Sequence, residues 1–467
     1  MSSRRRSRPT IRLVVLGMLP ALAISVGNTR PVAAAAPGTS RVSLVGDPSR
    51  GPRVGGGPRP TATPAGPAAL ANTRVRDITR QVDPERASFG AYAETWGDNL
   101  VFNKNRDGHP DVLLSFHAQP WQIWLGNNRS GFTFDRALGG TDRHNCATAD
   151  FSGPHGSPDG RPDLYCVRGA YKGTLSNKRN QVLVQRAAGG FVNVVGSWGA
   201  ADPSGRGRTV SILRMRGNGR PSLFVGNAKS IEHPSLDHLF ENVGGRFLQR
   251  RAGGLPSEQD TYCSSTGDFD HDGRQDFLTC SSSLHLYRNL TTPTGRVAYR
   301  RVALHEGIPP GRRKDAGLVD LNRDGWHDLV TVTQTAVSVR LNRKRSPHFP
   351  TADFRFPLRA GFSFCSGRAN GDRAKDLLVV QGLVSNSDKL QRPDWMLINS
   401  GSGRAFRPVP VPQPPTRGGS NGNGDTCSAI PGFRDGRAAW TINNGRPTYA
   451  PVERRHLGYR QLVILRP

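Results

Sequence analysis

The sequence predicts an all-β chain folded as a seven-bladed β-propeller. Three observations carry that expectation. A short acidic-loop pattern recurs seven times, its copies fall 48 to 63 residues apart, and the chain is rich in Gly and Pro (55 and 36 of 467 residues) without a sustained helical period.

The N-terminus reads as an export signal over residues 1–36. Arg4, Arg5, Arg6, Arg8 and Arg12 precede an apolar run from Leu13 to Val26, and Ala33 to Ala36 supply the small residues that cleavage needs. The mature protein is therefore expected to be secreted. Residues 37–72 are dominated by Pro, Gly, Ala and Arg, cannot bury a core, and read as a flexible linker. Residues 73–467 are assigned to the propeller.

The first copy of the repeat reads Asn103-x-Asn105-x-Asp107-Gly108-x-x-Asp111, followed by Val112-Leu113-Leu114. The fourth runs from Asp268 through Asp270, Asp272 and Gly273 to Asp276. The fifth runs from Asp320 through Asn322, Asp324 and Gly325 to Asp328. The second carries an insertion between Asp150-x-Ser152 and Asp159-Gly160-x-x-Asp163. The sixth keeps Asn370, Asp372 and Asp376 but has Arg368 in the first position. The third, around Gly219, has Arg214 and Arg216 at ligand positions and ends at Ser222. The seventh, around Asp435-Gly436, ends at Ala439. The ninth positions are separated by 52, 59, 54, 52, 48 and 63 residues. Four short strands with their turns need roughly 40 to 55 residues, so each repeat fits one blade.

β-like runs fill the remainder of each repeat, among them Gln122–Leu125, Gln181–Val184, Leu284–Tyr287 and Trp395–Ile398. Two arrangements close the ring equally well at this stage. The tail from Pro447 to Pro467 completes the seventh blade by itself, or Thr73 to Val82 adds its outer strand.

Oxygen side chains at alternate positions, a Gly and then an Asp make a loop suited to Ca2+, a hard cation that takes six to eight oxygens at about 2.3–2.6 Å. Positions one, three, five and nine supply side chains. Position seven (His109, Arg274, Trp326) supplies a backbone carbonyl, and the Gly permits the bend. The flanking β-like runs, and the lack of a Glu at position twelve, exclude an EF-hand. The Asp268 loop has the fullest ligand set, followed by the Asp320 loop. The Asn103 loop, with two amides, is expected to bind more weakly. The Asp150 loop depends on its insertion folding aside, and the third and seventh copies are expected to be metal-free hairpins.

These loops, with the later runs Leu286-Tyr-Arg-Asn289 and Leu239-Phe-Glu-Asn-Val-Gly-Gly-Arg-Phe247, resemble the FG-GAP/VCBS repeat family. The family includes the propeller of integrin α-subunits and many exported bacterial proteins. The resemblance spans about residues 90 to 467. It implies a seven-bladed propeller with Ca2+ in hairpin loops on one face, and often a role in adhesion or ligand binding. Some relatives carry polysaccharide lyase activity.

Six cysteines in an exported chain imply disulfides. Cys146 and Cys166 bracket one loop and Cys263 and Cys280 another, on the two arms of a hairpin, so each pair is expected to bond. Cys365 and Cys427 occupy equivalent places in blades six and seven and are expected to staple them.

The net charge of +28 is scattered along the chain without an aromatic-interleaved nucleic-acid motif. An anionic surface is compatible with it, and nucleic acid is not the expected partner. HExxH does not occur, and no catalytic residue is assigned. The expected function is a monomeric binding or adhesion module for an extracellular protein or glycan. The alternative is a polysaccharide-active enzyme with its site at the propeller mouth.

Overall fold

Each repeat continues into a strand too apolar to leave either face in water. Asp276–Cys280 and Asp328–Val332 are buried at every position. Strands buried on both faces need a packed layer on each side, and here neighbouring blades provide both. The computed structural model describes residues 73–82 and 97–466, apart from 117–118, 128–130, 152–157, 170–178, 218–219, 230–234, 252–259, 282, 305–314, 347, 383–391, 413–423 and 445–458. The expected export signal and linker lie outside the described residues.

The strands form seven four-stranded antiparallel sheets. Blade one is Leu100–Phe102, Asp111–Leu114, Gln122–Gly126 and Phe132–Ala137; blade two is Arg143–Ala149, Asp163–Arg168, Gln181–Gln185 and Phe191–Asn193. Blade three is Gly207–Leu213, Ser222–Asn227, His238–Asn242 and Phe247–Arg250; blade four is Cys263–Gly267, Asp276–Cys280, Leu284–Asn289 and Tyr299–Val302. Blade five is Asp315–Val319, Asp328–Val332, Ala336–Arg340 and Phe354–Pro357; blade six is Gly361–Gly367, Asp376–Gln381, Trp395–Asn399 and Phe406–Pro410. In the first six blades the second strand begins at the ninth position of the repeat.

The first strand of each blade touches the first strand of the next, from blade one through blade seven and back to blade one. These strands therefore ring the central axis. They meet through small polar groups: the Ser264 hydroxyl lies 2.7 Å from those of Thr209 and Ser211. At Gly317 an added Cβ would stand 2.8 Å from the Phe364 ring of the next blade.

Blade seven decides between the two closures. It consists of Gly424–Arg434, Arg437–Asn444 and Tyr459–Arg466, with Arg74–Asp77 as its outer strand. Arg74 pairs with Arg466 and Asp77 with Val463. The tail therefore does not complete the sheet alone. Asp77 caps the turn that follows, accepting from the Thr79 N–H at 2.9 Å, and Val75 and Ile78 are buried.

The seam between blades seven and one centres on Arg460, which has no exposed surface. Its Nε donates to Asn443 Oδ1 at 2.9 Å, its Nη2 donates to the Ser115 carbonyl, and its guanidinium lies 4.8 Å from the Phe116 ring centre. Burial pulls this guanidinium down to about 9. Asn443 Nδ2 donates to the Gly97 carbonyl at 2.9 Å, and the Ser428 hydroxyl donates to the Asn99 carbonyl at 2.6 Å.

The cysteines pair as Cys146–Cys166, Cys263–Cys280 and Cys365–Cys427, with Cα separations of 4.1, 5.1 and 5.8 Å. The first two link directly opposed residues within a hairpin. The third joins the inner strands of blades six and seven.

Deleting residues 73–82 should therefore destabilise the ring. Losing the buried Val75 and Ile78 side chains costs roughly 1.5–3 kcal/mol each. Arg460→Ala should also lower the melting temperature, because each buried acceptor left unpaired costs about 1–3 kcal/mol. Thermal denaturation checks both. Melting unchanged by the deletion would show that the N-terminal strand does not hold the closure.

Candidate metal centre

The acidic loops join the first and second strands of the blades and share one backbone solution. The fourth position is left-handed in three copies, at Arg106 (φ 63°), His271 (φ 58°) and Arg323 (φ 61°). The sixth is left-handed at Gly108, Gly160, Gly273 and Gly325, which is why Gly recurs there. In copy six Arg373 takes the sixth position, and the left-handed residue is Gly371 at the fourth.

The ninth-position aspartates anchor the loops and are almost wholly buried, each with 1% exposure or less. Asp276 accepts from the Phe269 N–H at 3.1 Å and the Asn289 N–H at 2.7 Å. Asp328 accepts from Leu321 and Asn342, both at 2.9 Å, and Asp376 from Ala369 at 2.7 Å and Asn399 at 2.8 Å. Asp111 and Asp163 make the same two bonds. One carboxylate thus ties the second residue of its loop to the end of the third strand.

In blades two to six the residue at or just beyond the end of the third strand then reaches the preceding blade. Asn342 Nδ2 donates to the Phe269 carbonyl at 2.6 Å, Asn399 Nδ2 to Leu321 at 2.7 Å, and Asn289 Nδ2 to Met215 at 3.1 Å. Asn242 and Gln185 repeat the contact on Phe151 and Lys104. Sequence reading missed this role, although the final Asn of Leu286-Tyr-Arg-Asn289 was its visible signal.

The fourth loop gathers the densest set of oxygens. Ligand atoms of Asp268, Asp270 and Asp276 lie within 4.8 Å of one another. Asp268 also accepts from the Asp272 N–H at 3.1 Å and the Gly273 N–H at 2.8 Å. Asp272 turns away from this cluster: its Oδ1 accepts from the Arg274 N–H at 3.0 Å, and its Oδ2 meets the Arg274 and Arg288 guanidinia. Arg288 also pairs with Asp270 Oδ2. Burial, with repulsion from Asp270 and Asp268 added, pushes Asp276 up to about 8. Burial raises Asp328 to about 6 and Asp376 to about 7. Burial also acts on Asp272, but its bonds from Arg274 and Arg288 outweigh it and hold the carboxyl below its usual range.

The other copies diverge in instructive ways. In copy two Asp150 accepts from the Asp159 N–H at 3.1 Å and the Gly160 N–H at 2.5 Å, repeating what Asp268 does. The insertion therefore leaves the loop frame intact; Ser152 lies outside the described residues. In copy five Asp320 accepts from the Gly325 N–H at 3.2 Å, and Asn322 Nδ2 donates to Asp324, which Lys344 approaches to 3.1 Å. Asn105 and Asp107 of copy one, and Asn370 and Asp372 of copy six, likewise bond to each other. His109 and Trp326 bring their N–H groups to Asp107 and Asp324. In copy three Arg216 pairs with Glu241, and copy seven collapses to an Asp435-Gly436 turn with both residues at positive φ.

Among the described residues of the acidic loops, three buried side-chain oxygens have no hydrogen-bond partner: Asn103 Oδ1, Asp270 Oδ1 and Asp320 Oδ1; others lie elsewhere in the ring, Tyr299 Oη and Asn227 Oδ1 among them. The three loop oxygens occupy the first, third and first positions of the three uninterrupted loops. Buried unpaired acceptors are costly, and a hard cation is the chemistry that satisfies such a set. The residues present fit that ion. Loops four and five are also joined: His327 Nδ1 donates to the Asp268 carbonyl at 3.1 Å, and His271 stacks on Trp326 with ring centres 5.0 Å apart.

No family model and no curated protein matches the chain. Solved structures that resemble it include one on recognition of non-reducing terminal N-acetylglucosamine by an Agrocybe aegerita lectin, at 15% identity and TM-score 0.46 over 67% of this chain and 79% of that one. Another is BBS1N in complex with ARL6DN, at 10% identity and TM-score 0.40 over 80% of this chain and 94% of that one. Neither likeness carries over to a ligand of this chain.

Asn342→Ala should remove the bridge from blade five to blade four and strand the Phe269 carbonyl, at a cost of about 1–3 kcal/mol. Asn342 is not a candidate ligand, so the loss in melting temperature should be the same with Ca2+ and with chelator. A loss confined to the Ca2+ sample would place Asn342 in the ion's own shell.

Proposed function

We propose that the protein is an exported, calcium-stabilised propeller of the FG-GAP/VCBS type that serves as a binding module for an extracellular glycan or protein. The observation that carries the metal reading is the set of unpartnered buried oxygens on Asn103, Asp270 and Asp320. The converging carboxylates of Asp268, Asp270 and Asp276 support it.

Asp268, Asp270 and Asp276 would hold Ca2+ in loop four, with the Arg274 carbonyl. Asp320, Asn322 and Asp328 would do so in loop five, with the Trp326 carbonyl. Asn103 and Asp111 would contribute in loop one. The ion supplies positive charge and oxygen coordination to carboxylates that burial otherwise penalises. The chain's own residues do the remaining work. The ninth-position aspartates hold each loop on its blade, and the amides they position tie each blade to the preceding one.

Three disulfides fit an oxidising compartment, which supports export. Residues 1–36 as the signal and 37–72 as a tether complete that reading. A cross-linked ring is suited to presenting fixed grooves to a ligand, because a preorganised site loses little freedom on binding.

Melting the mature protein with Ca2+ and with excess chelator tests the metal. Binding to the native state alone should add about 2.7 kcal/mol per site at a hundredfold excess over Kd. The Asp268→Asn/Asp320→Asn double variant should lose most of the gain. A wild-type melting temperature indifferent to Ca2+ would reduce the loops to ordinary turns.

A further inference from the structure

Blades three and six carry matching grooves where the connection from the previous blade passes the start of the third strand. The match is one of register. Leu223 faces Phe240 in blade three as Leu377 faces Leu397 in blade six, so His238 and Trp395 occupy the same place. Asp237 accepts from the Asn227 N–H at 2.8 Å just as Asp394 accepts from the Gln381 N–H at 2.7 Å.

The two grooves differ in chemistry. In blade three, a cavity of about 490 Å³, the polar groups satisfy one another. His238 Nε2 lies 3.1 Å from Asp202, and Gln249 Nε2 donates to His238 Nδ1 at 2.9 Å. In blade six, a cavity of about 520 Å³ is lined by Trp395, Arg359 and Arg392 between Pro357 and Pro393. Among the described residues no carboxylate lines it. Arg359 is exposed at the lip, and Trp395 is half-buried, its ring held edge-on by Phe356 at 5.2 Å between centres.

The blade-six groove is braced. Gln381 Oε1 accepts from the Arg359 N–H at 2.9 Å, and its Nε2 donates to the Pro393 carbonyl at 2.6 Å. One side chain therefore fixes both walls. The volume lies within the roughly 300–1,000 Å³ of small-ligand pockets.

We propose that this groove binds an anionic sugar residue of uronic-acid type, the ring lying on Trp395 and the carboxylate meeting Arg359. A sugar ring offers an apolar face suited to an aromatic wall, and a carboxylate at its edge matches the planar guanidinium fork. The inference rests on reading the chain as a binding module and names its ligand class.

The test uses calorimetry at physiological salt with trisaccharides of galacturonate, glucuronate and mannuronate. A neutral galactose trisaccharide and a tri-glutamate peptide serve as comparisons. Because the net charge of +28 attracts any anion, the control is Arg355→Gln. Arg355 is exposed on the strand that carries Phe356 and points to the opposite face. At least one uronate probe should bind. Arg359→Gln should weaken it by about tenfold or more, as loss of a charged hydrogen bond requires. Trp395→Ala, verified as folded by its melting curve, should do likewise, and Arg355→Gln should leave binding unchanged.

Equal loss in Arg355→Gln would reduce the effect to net charge and overturn the proposal. Equal binding of the neutral sugar would overturn the anionic class while leaving the glycan-binding module standing. Binding of tri-glutamate that ignores Trp395 would point to an acidic protein segment instead. Failure of all three uronates would end the proposal without touching the calcium result, which is read separately by melting.

Discussion

A buried carboxylate accepting two backbone N–H groups is the contact on which this ring is built. At Asp276, Asp328 and Asp376 one side chain satisfies the second residue of a hairpin loop and a residue at the end of the third strand or, for Asn342, two residues beyond it. Either N–H left alone in the interior would cost about 1–3 kcal/mol. The residue whose N–H is held then turns its side-chain amide onto the loop of the preceding blade, as Asn342 does to Phe269. Strand order, loop shape and blade-to-blade spacing are coupled through that unit. Blade three shows a reduced form of it: Ser222 offers one hydroxyl oxygen, which accepts from Asn242 alone.

The same carboxylates create an electrostatic problem that the chain solves in several ways. Burial raises Asp276, Asp328 and Asp376 towards neutrality, so each site favours a nearby positive charge. In loop four Arg288 approaches from the third strand, and in loop five Lys344 approaches from the turn that follows the third strand. In blade three, where the loop has lost its acidic ligands, Arg216 and Arg250 flank Glu241. Part of the large basic excess is thus held in ion pairs with carboxylates of the loops and strands and is not only a solvated coat. Positions where a cation would sit and positions where an arginine sits belong to one scheme of charge compensation.

Closure of the ring works by different means. Blade seven lacks the ninth-position aspartate, having Ala439 in its place, and its loop shrinks to two residues. The missing staple is replaced by a strand from the other end of the chain, by the buried Arg460 lock and by the Cys365–Cys427 bridge. Reinforcement is concentrated where the repeat is weakest.

The blade count, the strand that follows each acidic loop and the cysteine pairing were legible in the sequence because each depends on residues close together along the chain. The oxygen side chains, the Gly and the apolar run must be contiguous for this hairpin to form, and the loop frame survives even the insertion after Asp150. What the tertiary structure alone decided lies between distant segments. Arg74–Asp77 completes a sheet begun at Gly424, Asp272 turns from its own cluster to Arg288, and Trp395 lines one groove with Arg359 from the connection between blades five and six. The linear pattern permitted both closures. The choice fell to burial of Val75 and Ile78 and to backbone groups on Tyr459–Arg466 that would otherwise have been left as an open edge, a constraint that exists only once the ring has formed.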